Sequence, residues 1–194
     1  MNRLIVETST SQASVALFSG TDLLAEENFP GGRGPISPLF SVLERLLKLV
    51  RKIDEIIVGV GPGSYSGIRI GISAVIGMQL ARNLQALGIN SALGYQGNDF
   101  QVILDARGTW IYSEVRGGKL VSGPDHCTFQ ELDARKTGSQ IYSPDRNVME
   151  ATTFPRASVL GQRVVTGMVV AELPLLPLYL KPPHITTAKS PPKM

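Results

Sequence analysis

The sequence predicts an α/β protein, and three observations support that prediction. Short runs rich in Val, Ile and Leu alternate with polar turns near the N-terminus, two helical patterns follow, and a second pair of strand-like runs comes after a glycine-rich connection. With 194 residues, of which 43% are hydrophobic and 18% charged, the chain can bury a sizeable core without disulfides or a metal. We therefore expect sheets that are covered by helices.

The first half of the chain is predicted to hold four strands and two helices in the order β-β-β-α-β-α. Turn residues bound the apolar runs, and the helical segments repeat apolar residues at spacings of three and four. The predicted strands cover residues 4–6, 13–18, 23–29 and 55–60, and the predicted helices cover residues 36–52 and 67–87.

The second half is predicted to begin a new sheet near Asp99, which divides the chain into an N-terminal lobe, 1–98, and a C-terminal lobe, 99–194. The proline-rich tail from Leu173 cannot form a regular helix, because proline lacks the N–H that a helix interior needs. The expected elements are a hairpin of residues 101–104 and 110–115, a strand at 139–142 and a helix at 156–165.

Cysteine and histidine usage excludes two classes of protein. The single cysteine, Cys127, cannot form an internal disulfide, and with His126 and His184 it cannot supply a Cys/His zinc cluster. The N-terminus lacks a signal-peptide pattern, and no apolar run approaches 18 residues. An ion bound by carboxylates is the alternative that this usage leaves open. We expect a cytoplasmic protein with no metal site.

The charge distribution argues against an independent nucleic-acid-binding module. The net charge is +3, and 11 basic against 7 acidic residues follow Asp105. The basic residues are scattered and only 6% of the chain is aromatic, so the composition predicts neither a polybasic tail nor a stacking platform. A solvated basic face is the favoured interpretation.

A glycine-rich loop between the strand at 55–60 and the second helix is the most informative segment. Gly61, Gly63 and Ser64 have the small size that lets backbone N–H groups approach an oxyanion at a helix start. The spacing fits neither G-x-G-x-x-G nor the Walker loop. A tight turn whose glycines serve close packing is the other interpretation, and spacing alone favours it.

The loop between the first two strands is a second candidate for phosphate binding. It places the hydroxyls of Thr8, Ser9 and Thr10 beside the carboxylate of Glu7. A Ser/Thr-rich turn is ordinary, so this motif is weak. Asp105 and Arg107 follow a later strand, where they can bind a polar ligand or pair within the fold.

Both predicted helices have more small or apolar surface than a single contact needs. In the first, the apolar arc of about 180° exceeds the usual stripe of about 100°, which indicates either a second packed helix of the same chain or a partner protein. The residues predicted for a partner face are Leu39, Val42, Leu46 and Leu49. In the second, Gly67, Gly71 and Ala74 lie along one face that another helix can approach closely. Packing inside the chain is the alternative for this face, and the two interpretations are compatible.

No arrangement typical of an active site is visible. A Ser-His-Asp triad needs a histidine, and His126 and His184 lie in segments rich in turn residues with no nucleophile motif nearby. We therefore predict no catalytic residue.

Four segments, taken in order, resemble the bacterial TsaB (YeaZ) family. They are residues 5–10 (IVETST), 61–71 (GPGSYSGIRIG), 104–107 (LDAR) and 177–181 (PLYLK). The resemblance implies an actin-like ATPase (ASKHA) fold of two related α/β lobes. It also implies a noncatalytic role in threonylcarbamoyl modification of the adenosine next to the anticodon of tRNA. Glu7 stands where the family usually has Asp. This departure weakens the expectation that the chain hydrolyses ATP by itself.

The resemblance further implies the partners. In that family the protein pairs through helices of its first lobe with TsaD, the catalytic paralogue, and the ATPase TsaE joins them. We expect a homodimer when the chain is alone, contact with tRNA only through the complex, and no contact with membranes. We expect the chain to have no cofactor of its own. The alternative is an ATP or ADP molecule at the interface of the complex. The alternative function is a small ATP-dependent phosphotransferase or peptidase-like enzyme of the same fold.

Overall fold

Two β-sheets form the framework of the part of the chain that the structure describes. The computed structural model describes residues 1–31 and 37–180. The first sheet has the order β3-β2-β1-β4-β5 and the second has the order β8-β7-β6-β9. The strands are β1 Asn2–Glu7, β2 Gln12–Ser19, β3 Asp22–Pro30, β4 Glu55–Gly59, β5 Gln85–Ile89, β6 Phe100–Asp105, β7 Trp110–Arg116, β8 Lys119–Cys127 and β9 Gln140–Tyr142.

Within residues 1–31 and 37–180, four α-helices pack on these sheets. Two of them, α1 and α2, lie on the first sheet, and α3 lies on the second. The fourth, α4, follows the last strand of the second sheet in sequence but packs on β1, β2 and β3 of the first. The helices are α1 Ser37–Leu47, α2 Tyr65–Arg82, α3 Phe129–Arg135 and α4 Ala157–Val165, with a short 3₁₀ helix at Ser91–Gly94.

The two sheets share one topology. In the first, β1 pairs antiparallel with β2 and parallel with β4. In the second, β6 pairs antiparallel with β7 and parallel with β9. The order β3-β2-β1-β4 therefore recurs as β8-β7-β6-β9, and the carboxyl ends of the central strands carry Glu7 and Asp105.

The central strands β1 and β4 of the first sheet are largely buried on both faces. Successive side chains of a strand point to opposite sides of the sheet. Leu4 and Val6 of β1 belong to the core formed with α1 and α2. Ile5, between them, belongs to a second core that includes Leu160 of α4 and Phe100 of β6. This second core joins the two sheets, so the division into lobes 1–98 and 99–194 stays a prediction.

A buried arginine reinforces the joint between the sheets. Arg163 of α4 donates to the carbonyl oxygens of Leu93 at 2.8 Å, Tyr95 at 3.0 Å and Gly97 at 2.6 Å. It also donates to the carbonyl oxygen of Gly118, between β7 and β8, at 3.2 Å. Burial lowers the pKa of Arg163. The guanidinium thus holds α4, the connection between the sheets and a turn of the second sheet together.

Most predicted elements are confirmed, and the differences concern boundaries and short elements. The second helix ends at Arg82 because Asn83 adopts a left-handed conformation, so the prediction of helix to residue 87 is wrong and β5 follows instead. The first helix ends at Leu47 rather than at residue 52. Ile36, its predicted first residue, lies outside the described residues.

Two further observations concern helices, one in the proline-rich tail and one across a membrane. Residues 171–180 contain no helix, as the proline pattern predicted. Within residues 1–31 and 37–180, no helix combines the length and apolar character needed to cross a membrane.

Candidate functional site

The two candidate phosphate loops lie in direct contact with each other. The backbone N–H of Ser64 donates to the carbonyl oxygen of Ser9 at 2.6 Å, and Thr8 Oγ1 donates to the carbonyl oxygen of Gly67 at 2.9 Å. A Cβ atom on Gly63 or Gly67 would overlap the backbone of Ser9 or Thr8, respectively. Glycine is needed here because only it allows the two backbones to approach this closely.

Several donors in these loops already have acceptors within the chain. The N–H of Gly61 donates to Ser91 Oγ at 3.1 Å, and the N–H of Gly67 donates to the helix-capping Ser64 Oγ at 3.4 Å. Thr10 is buried. The structure thus brings the predicted residues of both loops together and supports the tight-turn interpretation. Nucleotide or phosphate binding at this position stays a prediction.

Glu7 ends β1 inside this contact and is fully buried. Its Oε1 accepts a hydrogen bond from the backbone N–H of Ser9 at 2.6 Å, whereas Oε2 has no hydrogen bond of ordinary geometry among the described residues. A Cβ on Gly59 would overlap Oε2, so that glycine gives the carboxyl group its space. Burial raises the pKa of Glu7, and hydrogen bonding by Ser9 and Ser91 offsets only part of this rise. The environment therefore favours the neutral form.

Asp105, at the end of β6, makes the same kind of turn in an exposed position. Its Oδ1 accepts from the backbone N–H of Arg107 at 2.8 Å, and its Oδ2 accepts from Asn147 Nδ2 at 2.8 Å. Its own N–H donates to Asp145 Oδ2 at 2.8 Å. Burial, and then the charge of Asp105, raise the pKa of Asp145. The contact between Asp105 and Arg107 thus runs through the backbone of Arg107.

The predicted partner face of α1 requires a correction. Leu39, Val42 and Leu46 are buried in the core between α1 and the first sheet, where α1 contacts β2 and β3. They cannot contact a partner in this conformation, because the sheet covers them. Leu49, which follows the helix, is exposed.

The predicted glycine face of α2 also packs inside the chain. A Cβ on Gly71 would overlap Thr8 Oγ1 and lie 3.4 Å from Val58 Cγ2. Together with Gly67, it brings α2 close to the loop after β1 and to β4, so placing these two glycines at a partner interface is wrong. The internal contact is with the sheet and its loop rather than with α1. Ala74 is buried at the rim of a groove.

That groove lies between α1 and α2, and it is open and lined mainly by apolar side chains. Its volume is about 660 Å³. Phe40 of α1, one of its lining residues, is 56% exposed. Sequence reasoning missed the groove because the width of an apolar arc does not show which part the sheet covers. The lining residues are Phe40, Leu43, Glu44, Leu47, Arg69, Ile70, Ser73, Ala74, Gly77, Met78, Ala81 and Arg82.

Comparison with solved structures identifies the fold. An uncharacterized protein from Pseudomonas aeruginosa with similarity to peptidase YEAZ superposes with a TM-score of 0.74 at 20% identity, covering 93% of this chain and 99% of that chain. YeaZ from Pseudomonas aeruginosa superposes with a TM-score of 0.69 at 20% identity, covering 92% and 99%. The predicted α/β fold of the actin-like class, with two related sheets, is confirmed.

Comparison with curated sequences finds mycobacterial relatives. An uncharacterized protein of Mycobacterium leprae (strain TN) is 26% identical over 141 residues, which are 68% of this chain and 39% of that protein. One of Mycobacterium tuberculosis (strain ATCC 25618 / H37Rv) is 27% identical over 138 residues, which are 68% of this chain and 65% of that protein. The chain thus spans less than two thirds of the length of either relative.

A family-level match covers more than half of the chain. The family described as TsaD, tRNA N6-adenosine threonylcarbamoyltransferase, matches residues 39–171. This range includes most of α1, the glycine loop, α2, the whole second sheet and α4. With the YeaZ fold established above, the chain belongs to the tRNA N6-adenosine threonylcarbamoyltransferase (TsaD) family and is a YeaZ-like (TsaB-like) member of it.

Proposed function

We propose that the chain is a noncatalytic scaffold subunit required for threonylcarbamoyl modification of the adenosine next to the anticodon in tRNA. It pairs with a TsaD-type catalytic subunit and activates it. Membership of the threonylcarbamoyltransferase family supports the reaction class. The observation that carries the scaffold role is the open apolar groove between α1 and α2.

The groove has the properties of a site for a helix of another protein. Apolar side chains from both helices line it, and Arg69, Glu44 and Arg82 supply charged groups for a polar rim. Fully burying a lining side chain such as Phe40 or Met78 contributes about 1.5–3 kcal/mol. A related chain with the same fold presents helices that can fill such a groove, and this favours a TsaD-type paralogue as the occupant.

The contact between the two loops supports a role without catalysis. Gly63 and Gly67 let the β4–α2 loop pack directly on the β1–β2 loop, so the two loops contact each other. In this proposal the subunit has no cofactor of its own, and an ATP or ADP molecule binds at the interface of the complex. A TsaE-like ATPase completes the assembly, tRNA is held through the complex, and the chain alone pairs with itself through the same groove.

Co-purification with the TsaD-type subunit of the same genome tests the pairing. We expect the wild-type chain to form a stable complex, and Phe40→Asp and Met78→Asp each to abolish it, because both side chains line the groove and a carboxylate cannot be buried in it without a partner. Phe129→Asp is the matched control, since Phe129 is 67% exposed on α3, away from the groove. Thermal melting of each variant shows whether the fold is kept.

The enzyme alternative is tested on the isolated chain. Magnesium-dependent ATP turnover near 1 s⁻¹, an ordinary enzyme rate, would favour the ATP-dependent phosphotransferase. Cleavage of a peptide library at a similar rate would favour the peptidase-like enzyme. The scaffold proposal expects neither activity, and it expects both groove variants to be monomeric in size-exclusion chromatography.

A further inference from the structure

A pocket lies where the first sheet, the second sheet and the chain before α4 meet. Residues of β2 and β3, the end of β9 and the segment from Thr153 to Arg156 line it. Its volume is about 520 Å³, and sites for small molecules usually measure about 300–1,000 Å³. It shares no lining residue with the groove between α1 and α2 or with the residues predicted to bind phosphate. The pocket is therefore a separate feature of the molecule.

Hydrogen bonds between α4 and the first sheet fix one wall of the pocket. Ser14 of β2 lies opposite Asn28 of β3, so both side chains point to the same face of the sheet. On that face Ser14 Oγ accepts from the N–H of Ala157 at 2.8 Å, and Glu26 Oε1 accepts from the N–H of Ser158 at 2.9 Å. The wall is thus formed before a ligand arrives, which reduces the entropy lost on binding.

Ring side chains supply the apolar part of the lining. Tyr95, Tyr142, Phe154 and Pro155 all line the pocket. The rings of Tyr95 and Tyr142 are stacked, with centroids 5.3 Å apart and planes 11° from parallel. Phe100 packs edge-on against Tyr142 at 5.3 Å and holds that ring in place. Such a lining suits a ligand with a flat ring.

Three carboxamides supply the polar part of the lining. Gln12, Asn28 and Gln96 are exposed, and their side chains make no hydrogen bond to the described residues. Thr153, on the same wall, has a buried Oγ1 that also has no hydrogen-bond partner among those residues. Each carboxamide offers both a donor and an acceptor. A ligand with donors and acceptors side by side along one edge matches these groups.

The charge of the pocket favours a neutral ligand. Arg156 is the one charged residue among the described residues that line it. Its Nη2 is already ion-paired with Glu26 Oε2. The pocket thus has no uncompensated charge for a phosphate or a carboxylate, and burying an unpaired ion costs far more than burying a neutral polar group.

We propose that this pocket binds a free, uncharged nucleoside. A nucleobase combines a flat ring with an edge of neighbouring donors and acceptors, and Asn and Gln side chains match such edges. The base packs against the ring side chains, and Asn28 and Gln96 hydrogen-bond its edge. This goes beyond the proposed function, in which an ATP or ADP molecule binds at the interface of the complex.

Saturation-transfer NMR titrations of the full isolated chain with adenosine, guanosine, cytidine and uridine test the proposal. We expect saturable binding of at least one of the four. Asn28→Ala and Gln96→Ala should each weaken that binding about fivefold, because a hydrogen bond to the base is lost. Gln130→Ala is the matched control and should bind like wild type, since it removes an exposed carboxamide on α3.

The ring lining has its own pair of variants. Tyr142→Leu should weaken binding about tenfold or more, because the contact between an aromatic ring and the base is lost. Tyr142→Phe keeps the ring and should bind within about twofold of wild type. Thermal melting shows whether each variant is folded. If Tyr142→Leu does not fold, the two carboxamide variants still decide whether the pocket is the site.

The charge argument is tested with nucleoside monophosphates. They should bind no more tightly than the corresponding nucleosides, because Arg156 is already paired with Glu26. An unpaired base within an RNA strand carries a phosphate on each side, so the same comparison distinguishes a free nucleoside from RNA as the source of the base.

Three results would overturn the proposal. These are no saturable binding of any of the four nucleosides by wild type, tighter binding of a monophosphate than of its nucleoside, and carboxamide variants that bind like wild type or no worse than Gln130→Ala. The test uses the chain alone. Failure to co-purify with the TsaD-type subunit would therefore count against the proposed function and leave the nucleoside site standing.

Discussion

The carboxylates at the ends of β1 and β6 make the same local turn in opposite environments. Glu7 accepts from the N–H of Ser9, and Asp105 accepts from the N–H of Arg107, in each case two residues further along. Glu7 is fully buried and its pKa is raised, whereas Asp105 is exposed. Local sequence thus determines the turn, and the elements packed over it determine its electrostatics.

The difference between the two turns has a structural cause. In the first sheet, α2 and the glycine loop lie directly on the residues after Glu7, and Gly59, Gly67 and Gly71 leave the space for this contact. In the second sheet, Asp105 is met by a loop that brings Asn147 and Asp145, both polar. The same topology thus gives a buried turn in the first sheet and a polar, exposed turn in the second.

The largest expected effect comes from opening the buried turn. Gly71→Leu should cost about 3 kcal/mol or more of unfolding free energy, because its side chain would have to displace Thr8. Gly77→Ala is the matched control in the same helix, since a Cβ there meets no atom within 4 Å, and it should gain up to about 1 kcal/mol. Urea unfolding measures both. Similar effects of the two changes would show that α2 does not cover the turn.

A second test makes the same chemical change in both turns. Because the folded-state pKa of Glu7 is raised, its contribution to stability is fully present below its ordinary pKa of 4.5 and is lost as pH rises through the folded pKa. Glu7→Gln should therefore raise the unfolding free energy at pH 7, by about 1.4 kcal/mol for each unit of the pKa difference. It should also flatten the dependence of stability on pH above 4.5.

Asp105→Asn serves as the comparison for Glu7→Gln. The exposed carboxylate has little desolvation to relieve, so its removal should change stability by no more than about 0.5 kcal/mol. Urea unfolding of both variants between pH 4 and pH 8 measures the two changes in unfolding free energy. If Glu7→Gln destabilises the chain at pH 7, the ionised carboxylate stabilises the fold and the difference between the turns is not one of burial.

The smallest expected effect is a change in the pKa of Asp145, next to the exposed Asp105. Burial and the charge of Asp105 together hold the pKa of Asp145 above its ordinary 3.8. Asp105→Asn removes the repulsion but not the burial, so the pKa of Asp145 should fall only part of the way. Carbon-13 NMR titration of the side-chain carboxyl reports it directly. An unchanged pKa would mean that the two carboxylates do not interact.

The missed elements show what a single sequence can hide. β5 was predicted as the end of α2 because the run after Asn83 has helical spacing, yet an Asn in the left-handed conformation is a common helix end. The capping box of Thr128 and Glu131 marks the start of α3 and was a usable signal. β8 went unpredicted because a Gly-Pro pair, Gly123–Pro124, interrupts its pattern.

The sequence by itself determined the order of most strands and helices, the tight loop after β4 and the surplus of apolar surface on α1, because these depend on local spacing and on residue size. Only the tertiary structure decided which part of that surface is covered. It placed Leu39 in the core and Phe40 in the groove, and it buried Glu7 while leaving Asp105 exposed. It also brought Tyr179 onto Tyr65. The physical reason is that burial depends on which distant elements pack against a residue, and local periodicity does not encode those contacts.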